Sequence, residues 1–377
     1  MSLADFISKL GLGKQTRGCK SAYNYCCVDN HIYVLWNPEN KGHGLTDKSE
    51  DTKPFDDIRA LAMQDVTPDD EAGATVRKQL GQMGRENDFG RLGDAAAWMA
   101  RWQGRYPPRI EKATLAIFAG SHGLTQEGVS LANNDSTRAH LQSLREGRAP
   151  LSAIATQSGA DIKVMELALD MPTGNIAQGP AMSERDCAAT IAYGFEVLEG
   201  EPDLLALGVS GAGIGTAAAA VAYALYGGTA DYWVRPGPGT PEDMTQKRAD
   251  LVNQALKLHR KDVEHPLDAL ARLGGRELAA CVGAILAARL QRVPVVLDGF
   301  ATTIAAGIVH AINPDALSHV IAAHATRRPA HEAALERIGL RPLLGLEYQT
   351  GGGLGSATAI GVLRTACAPF IARPAAE

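Results

Sequence analysis

Leu204 to Gly228 reads "LLALGVSGAGIGTAAAAVAYALYGG", 25 residues without a charge and long enough to cross a bilayer. Its interior speaks for another structure. Gly208, Gly211, Gly213 and Gly215 would weaken a helix through its first half. A buried strand, a glycine turn and a buried small-residue helix account for every position, which makes the segment a strand-turn-helix unit of a soluble core. No membrane partner is expected.

From this unit the pattern extends in both directions. Short β-rich runs alternate with longer helical ones: Thr114–Gly120, Ile162–Leu169, Asp203–Val209, Val293–Gly299, His319–His324 and Leu343–Gln349. Near-continuous apolar strands separated by helices require a parallel sheet covered on both faces. The expected fold is therefore a doubly wound α/β domain with a mainly parallel sheet of about six strands, accompanied by a small helical domain. The expected divisions are an N-terminal extension over 1–54, part of the small helical domain over 55–107, the α/β domain over 108–356, and a C-terminal helix over 357–377 returning to the small domain. The first fifty residues stand apart, holding half of the cysteines and the polar run "NPENKGHGLTDKSEDTKP".

Composition narrows the partners. The chain has 377 residues, 45% hydrophobic and 21% charged, with a formal net charge of -5 and no basic block. Nucleic-acid binding needs clustered Lys and Arg, so a small-molecule partner is expected and nucleic acid is not. Six scattered cysteines include no Cys-x-x-Cys pair, as in reduced cytosolic proteins. Cys19, Cys26, Cys27 and His31 match none of the common zinc spacings. The start of the chain has no signal-peptide pattern, so a cytoplasmic location is expected.

In doubly wound sheets ligands bind beyond the C-terminal strand ends, which directs attention to the segments after each run. Gly211, Gly213 and Gly215, followed by Thr216, precede a helix whose N-terminal amides favour an anion, though tight strand-to-helix packing explains them equally well. "TGGGLGS", Thr350 to Ser356, contains Gly351, Gly352 and Gly353 and poses the same choice. "HATRRPAH", His324 to His331, offers Thr326 and an arginine pair, Arg327 and Arg328, as a phosphate clamp or a solvated turn. His122 ends another strand, and Asp298 closes a buried one. Lys247 lies on a helix face where solvent exposure is the ordinary outcome.

Beyond these local readings, "MPTGNIAQGPAMS", "LLALGVSGAGIGTAAAA", "HPLDALARLGGRELAACVGAILAARLQRVPVVLDGF" and "GLRPLLGLEYQTGGGLGSA" resemble the nicotinate-nucleotide:dimethylbenzimidazole phosphoribosyltransferase family, in this order and from about Phe55 onward. The resemblance implies transfer of phosphoribose from nicotinate mononucleotide to a benzimidazole nitrogen, giving an α-ribazole phosphate for the lower ligand of cobalamin. It implies a homodimer and neither metal nor cofactor. It also assigns Gly211, Gly213, Gly215, Thr216, Lys247, Thr326, Arg327, Gln349, Gly351 and Gly353 to the phosphoribosyl or nucleotide site, and Ser130, Ala139 and His140 to the base pocket.

The chain departs from the family where proton transfer is concerned. The family's last glycine loop carries a glutamate as general base, and Gly352 stands there. A second family glutamate falls on Gly211, its arginine on Gln349, and its base-pocket glutamine on Ala139. Its Lys-Pro-Pro-Gly-Ser-Leu-Gly segment falls on Gly84 to Gly90. Glu347, His122 and His140 are the remaining candidates for a base. Two readings follow: a divergent transferase, or a non-catalytic homologue that binds a nucleotide or a partner subunit.

Overall fold

The inner strands of the central sheet bury both of their faces, and the residues that do so alternate. In the computed structural model the described residues are 23–28 and 31–36 as backbone, and 54–84, 88–236, 240–349 and 351–371. The N-terminal pieces form an antiparallel hairpin, β1 (Tyr23–Val28) on β2 (His31–Trp36), pairing Tyr23 with Trp36. The rest of the expected 1–54 extension, including Cys19, lies outside the described residues, as do the side chains of Cys26, Cys27 and His31.

Three helices follow: α1 (Pro54–Met63), α2 (Asp70–Gln82) and α3 (Gly90–Gln103). Asp69 caps α2 by accepting the Ala72 amide at 2.9 Å, and Gly104 ends α3 in the left-handed conformation. Within the Gly84 to Gly90 segment, residues 85–87 lie outside the described residues.

The core begins with β3 (Ala113–Ala119), then α4 (Asn134–Arg145), α5 (Pro150–Ser158), β4 (Ala160–Glu166) and α6 (Glu184–Tyr193). It continues with β5 (Leu204–Ser210), α7 (Ile214–Tyr226), α8 (Ala230–Val234), α9 (Glu242–His259), α10 (Pro266–Leu273) and α11 (Arg276–Leu290). It closes with β6 (Val295–Leu297), α12 (Gly299–Ile312), β7 (Val320–Ala322), α13 (Pro329–Arg337) and α14 (Leu354–Ile371). The span-like segment Leu204 to Gly228 is thus β5, a glycine turn and α7. Helix α14 is also long and apolar enough for a membrane, but half of it is buried inside the protein, against α3 and α5.

The five strands pair in parallel in the order β4-β3-β5-β6-β7. Ala116 and Phe118 of β3 with Leu205, Leu207 and Val209 of β5 face one apolar layer, built from α1 and α6 to α13. Leu115, Ile117 and Ala119 with Leu204 and Ala206 face the other, built from α2 to α5 and α14. A period of two with both phases apolar is what a doubly covered sheet needs.

The sixth expected strand does not form. Leu343 and Leu344 donate to the carbonyls of Ala322 and Ala323 at 2.9 and 2.8 Å, leaving a single bridge between His324 and Leu344. Glu347 then takes φ 54°, a left-handed conformation incompatible with a continuing strand.

The chain leaves β3 toward β4 on one side and returns to β5 on the other. The segments after β3 and β5 therefore part at the point where the connections reverse, where a crevice opens.

Candidate active site

A cavity of about 430 Å³ lies at the C-terminal end of β5. Val209, Ser210 and Gly211 form its floor, Ile214 and Gly215 of α7 one side, Phe300 and Ala301 of α12 another. Ser136, Thr137 and His140 enter from α4, Thr326 and Arg328 follow β7, and Gln349, Gly351 and Gly352 close it. Segments far apart in sequence thus meet at one strand end.

Arg328 carries the main charge of this wall. Its guanidinium lies 4.6 Å from the centre of the Phe300 ring, and a Cβ placed on Gly215 would stand 3.2 Å from one of its terminal nitrogens. Its Nε has no hydrogen-bond partner, and among the described residues it has no carboxylate. Burial, with Arg248 nearby, lowers its pKa to about 10, so it stays charged at neutral pH. A cation held against the first turn of α7, whose free amides also attract anions, has no negative partner among the described residues to satisfy both.

Beneath the glycine segment lies a buried clamp. Asp298, at the N-cap of α12, accepts from His324 Nε2 at 2.5 Å and from the Gly353 amide, and both side chains are fully buried. The glycines above it serve different needs. A Cβ at Gly351 would lie 2.6 Å from the Asp298 carbonyl oxygen, and one at Gly355 would run into the His324 ring. Gly353 takes φ 107°. Gly352 alone of this group needs nothing from glycine: a Cβ there meets no atom within 4 Å, and its φ lies outside the left-handed range.

Next to the clamp, His331 accepts the Thr326 amide on Nδ1 at 2.9 Å, so its proton sits on Nε2, which donates to Thr303 Oγ1 at 3.0 Å. Burial, then the neighbouring His324 and Arg328, lower its pKa to about 3. His319, fully buried with Nε2 donating to the Ile285 carbonyl at 2.9 Å, is lowered by burial to about 3 as well. Both folded values lie below the ordinary 6.5, so between pH 6.5 and about 3 the unfolded chain takes up protons that the folded chain refuses. Stability is complete above pH 6.5 and falls below it, by roughly 2 kcal/mol per histidine at pH 5. Urea midpoints measured at pH 7.5 and 5 should show this loss; equal midpoints would exclude it.

Of the residues expected from sequence, Gly211, Gly215, Thr326, Gln349, Gly351, Gly352 and His140 line the cavity. Gly213 starts α7 at φ 88°, and Thr216 is buried one step behind, its amide on the Gly213 carbonyl at 2.9 Å. Gly353 does not line the cavity; it follows the lining Gly352 and donates its amide to Asp298.

The remaining expected residues lie elsewhere. Lys247 is exposed, 3.7 Å from Asp243, while its neighbour Arg248 turns inward to the Val129 carbonyl at 2.7 Å. Arg327 is exposed and faces the exposed Glu347 at 3.5 Å, outside the cavity. Ser130 accepts the Ala132 amide at 3.2 Å, and Ala139 sits on the solvent side of α4. His122 is buried against Glu277 and does not line the cavity.

The correction from Arg327 to Arg328 has a local cause. Arg328 precedes Pro329, which favours extended backbone, and consecutive side chains of an extended segment point in opposite directions. The sequence therefore contained a signal that one arginine of the pair would face in and the other out. Phe300 and Ser136 carried no such signal.

This geometry has relatives. A family model described as "Phosphoribosyltransferase" matches residues 66–373. A nicotinate-nucleotide–dimethylbenzimidazole phosphoribosyltransferase of Sinorhizobium medicae is 44% identical over 316 residues, covering 84% of this chain and 93% of that protein. The Rhizobium meliloti protein of the same name is also 44% identical, with the same coverage. A crystal structure of the Thermus thermophilus phosphoribosyltransferase of that name superposes with a TM-score of 0.73 at 31% identity, covering 79% of this chain and 95% of that one. With the parallel sheet, the crevice at its reversal point and these likenesses in agreement, the chain belongs to the nicotinate-nucleotide–dimethylbenzimidazole phosphoribosyltransferase family.

Proposed function

We infer that the protein moves phosphoribose from nicotinate mononucleotide to a benzimidazole-type base, the step that forms an α-ribazole phosphate for cobalamin. The observation that supports this most is Arg328: a guanidinium with no carboxylate partner among the described residues, set at the first turn of α7 inside a cavity of about 430 Å³. In this reading the phosphate of the nucleotide bridges Arg328 and the α7 amides. The glycines at Gly211 and Gly215 let the ribose phosphate approach the backbone, and Thr326 and Gln349 supply further polar groups on the same wall.

The aromatic base then occupies the part of the cavity bordered by Ile214, Ala301 and α4. Holding donor and acceptor in one enclosed space converts an encounter of two solutes into a reaction within one complex. The family reading carries a cytoplasmic homodimer as its finer expectation. The non-catalytic alternative, which Gly352 in place of the family's glutamate raised, is not favoured, since the chain covers nearly the full length of relatives named as transferases.

Arg328→Ala tests the phosphate assignment. Loss of a charge-assisted bond worth about 1.5–3 kcal/mol corresponds to roughly 10- to 100-fold weaker binding of nicotinate mononucleotide, readable by calorimetry. An unchanged affinity would remove Arg328 from the site.

A further inference from the structure

We propose that His140 takes the ring N–H proton of the acceptor base during transfer, an assignment that rests on the phosphoribosyl-transfer reading above. Among the described residues, the cavity wall carries two titratable side chains, Arg328 and His140. Arg328 remains a cation and cannot accept a proton. Glu347 and His122 lie outside the wall, one exposed beside Arg327 and one buried beside Glu277.

His140 also meets the physical requirements of a base. Partial burial lowers its pKa from the ordinary value, so the neutral imidazole is the resting form at neutral pH. Its helix is fixed at the start by a reciprocal capping box, in which Asn133 Oδ1 accepts the Ser136 amide at 2.8 Å and Ser136 Oγ accepts the Asn133 amide at 3.0 Å. Arg138 on Asp170 and Arg145 on Glu166, each at 2.5 Å, tie the same helix to the end of β4 and the segment after it. The outer side of His140 is open to water, to which a captured proton can pass.

The lone pair of the acceptor's unprotonated ring nitrogen forms the bond to C1′ of the ribose. The bond from C1′ to the pyridinium nitrogen breaks, and its electron pair neutralises that nitrogen as nicotinate leaves. The proton on the acceptor's second ring nitrogen moves to the unprotonated nitrogen of His140, and the resulting imidazolium releases it to solvent.

Two acceptors separate this role from a packing role: 5,6-dimethylbenzimidazole, which has a ring N–H, and 1-methylbenzimidazole, which has none. With the first, His140→Ala and His140→Gln should lower kcat about 100-fold or more while the KM for nicotinate mononucleotide holds. With the second the deficit should be far smaller, and added imidazole should restore part of the His140→Ala loss with the first. Equal deficits with both acceptors, or a His140→Ala enzyme as fast as the wild type, would overturn the assignment and leave the transferase reading standing. A wild-type protein that releases no nicotinate with either acceptor would overturn the transferase reading, and this assignment with it.

Discussion

Asp298→Ala should destabilise the fold by about 3–5 kcal/mol, the usual cost of removing one partner from a buried pair. Asp298 accepts from both His324 and the Gly353 amide in a fully buried setting, so its removal strands two donors at once. The damage also reaches the cavity, because Gly353 follows directly on the two lining glycines Gly351 and Gly352. The melting midpoint in urea and the affinity for nicotinate mononucleotide should therefore fall together. Asp298→Asn, which keeps an acceptor for one of the two donors, should lose less of both. A variant with normal stability and normal affinity would show that the glycine segment is held by other contacts.

The second large effect concerns the two positions where the family resemblance puts glutamates. At Gly352 the space is open, so Gly352→Glu should fold like the wild type and place a carboxyl group in the cavity. In a His140→Ala background, this substitution should restore most of the rate, since a positioned general base contributes roughly 100- to 10,000-fold. Gly211→Glu should behave in the opposite way. A Cβ there would stand 2.6 Å from the Gly120 carbonyl oxygen, and backbone on backbone cannot yield without moving β3 and β5 apart. Its expected result is a loss of about 1–3 kcal/mol in stability, read from the same urea titration. If Gly352→Glu folds and yet leaves His140→Ala inactive, the cavity does not place its acceptor within reach of that carboxyl group.

How much of this was legible in the sequence depends on the kind of information each residue carries. The strand-turn-helix reading of Leu204 to Gly228 survives because glycine placement and apolar period are local properties. The sheet order could be expected only as parallel, since which strands neighbour each other depends on packing between distant segments. Leu343 to Gln349 looked like a strand by composition, but its course is set by the left-handed Glu347. Glycines of both segments meet at one cavity, and the separate reasons for Gly351, Gly353 and Gly355 emerge only from the Asp298–His324 pair beneath them. Lys247 and Arg327 were each one residue from an arginine that turns inward, Arg248 and Arg328. Periodicity alone does not fix the face of a helix or the side of a loop to that accuracy. The proline after Arg328 did hold that information.

The cavity transfers phosphoribose between bases. That transfer is tested most directly by incubating the purified full-length protein with nicotinate mononucleotide and 5,6-dimethylbenzimidazole and separating the products by chromatography. Nicotinate and α-ribazole phosphate should appear in equal amounts, well above a control without enzyme and sharply reduced for Arg328→Ala. Binding of the nucleotide with no release of nicotinate would contradict the transfer.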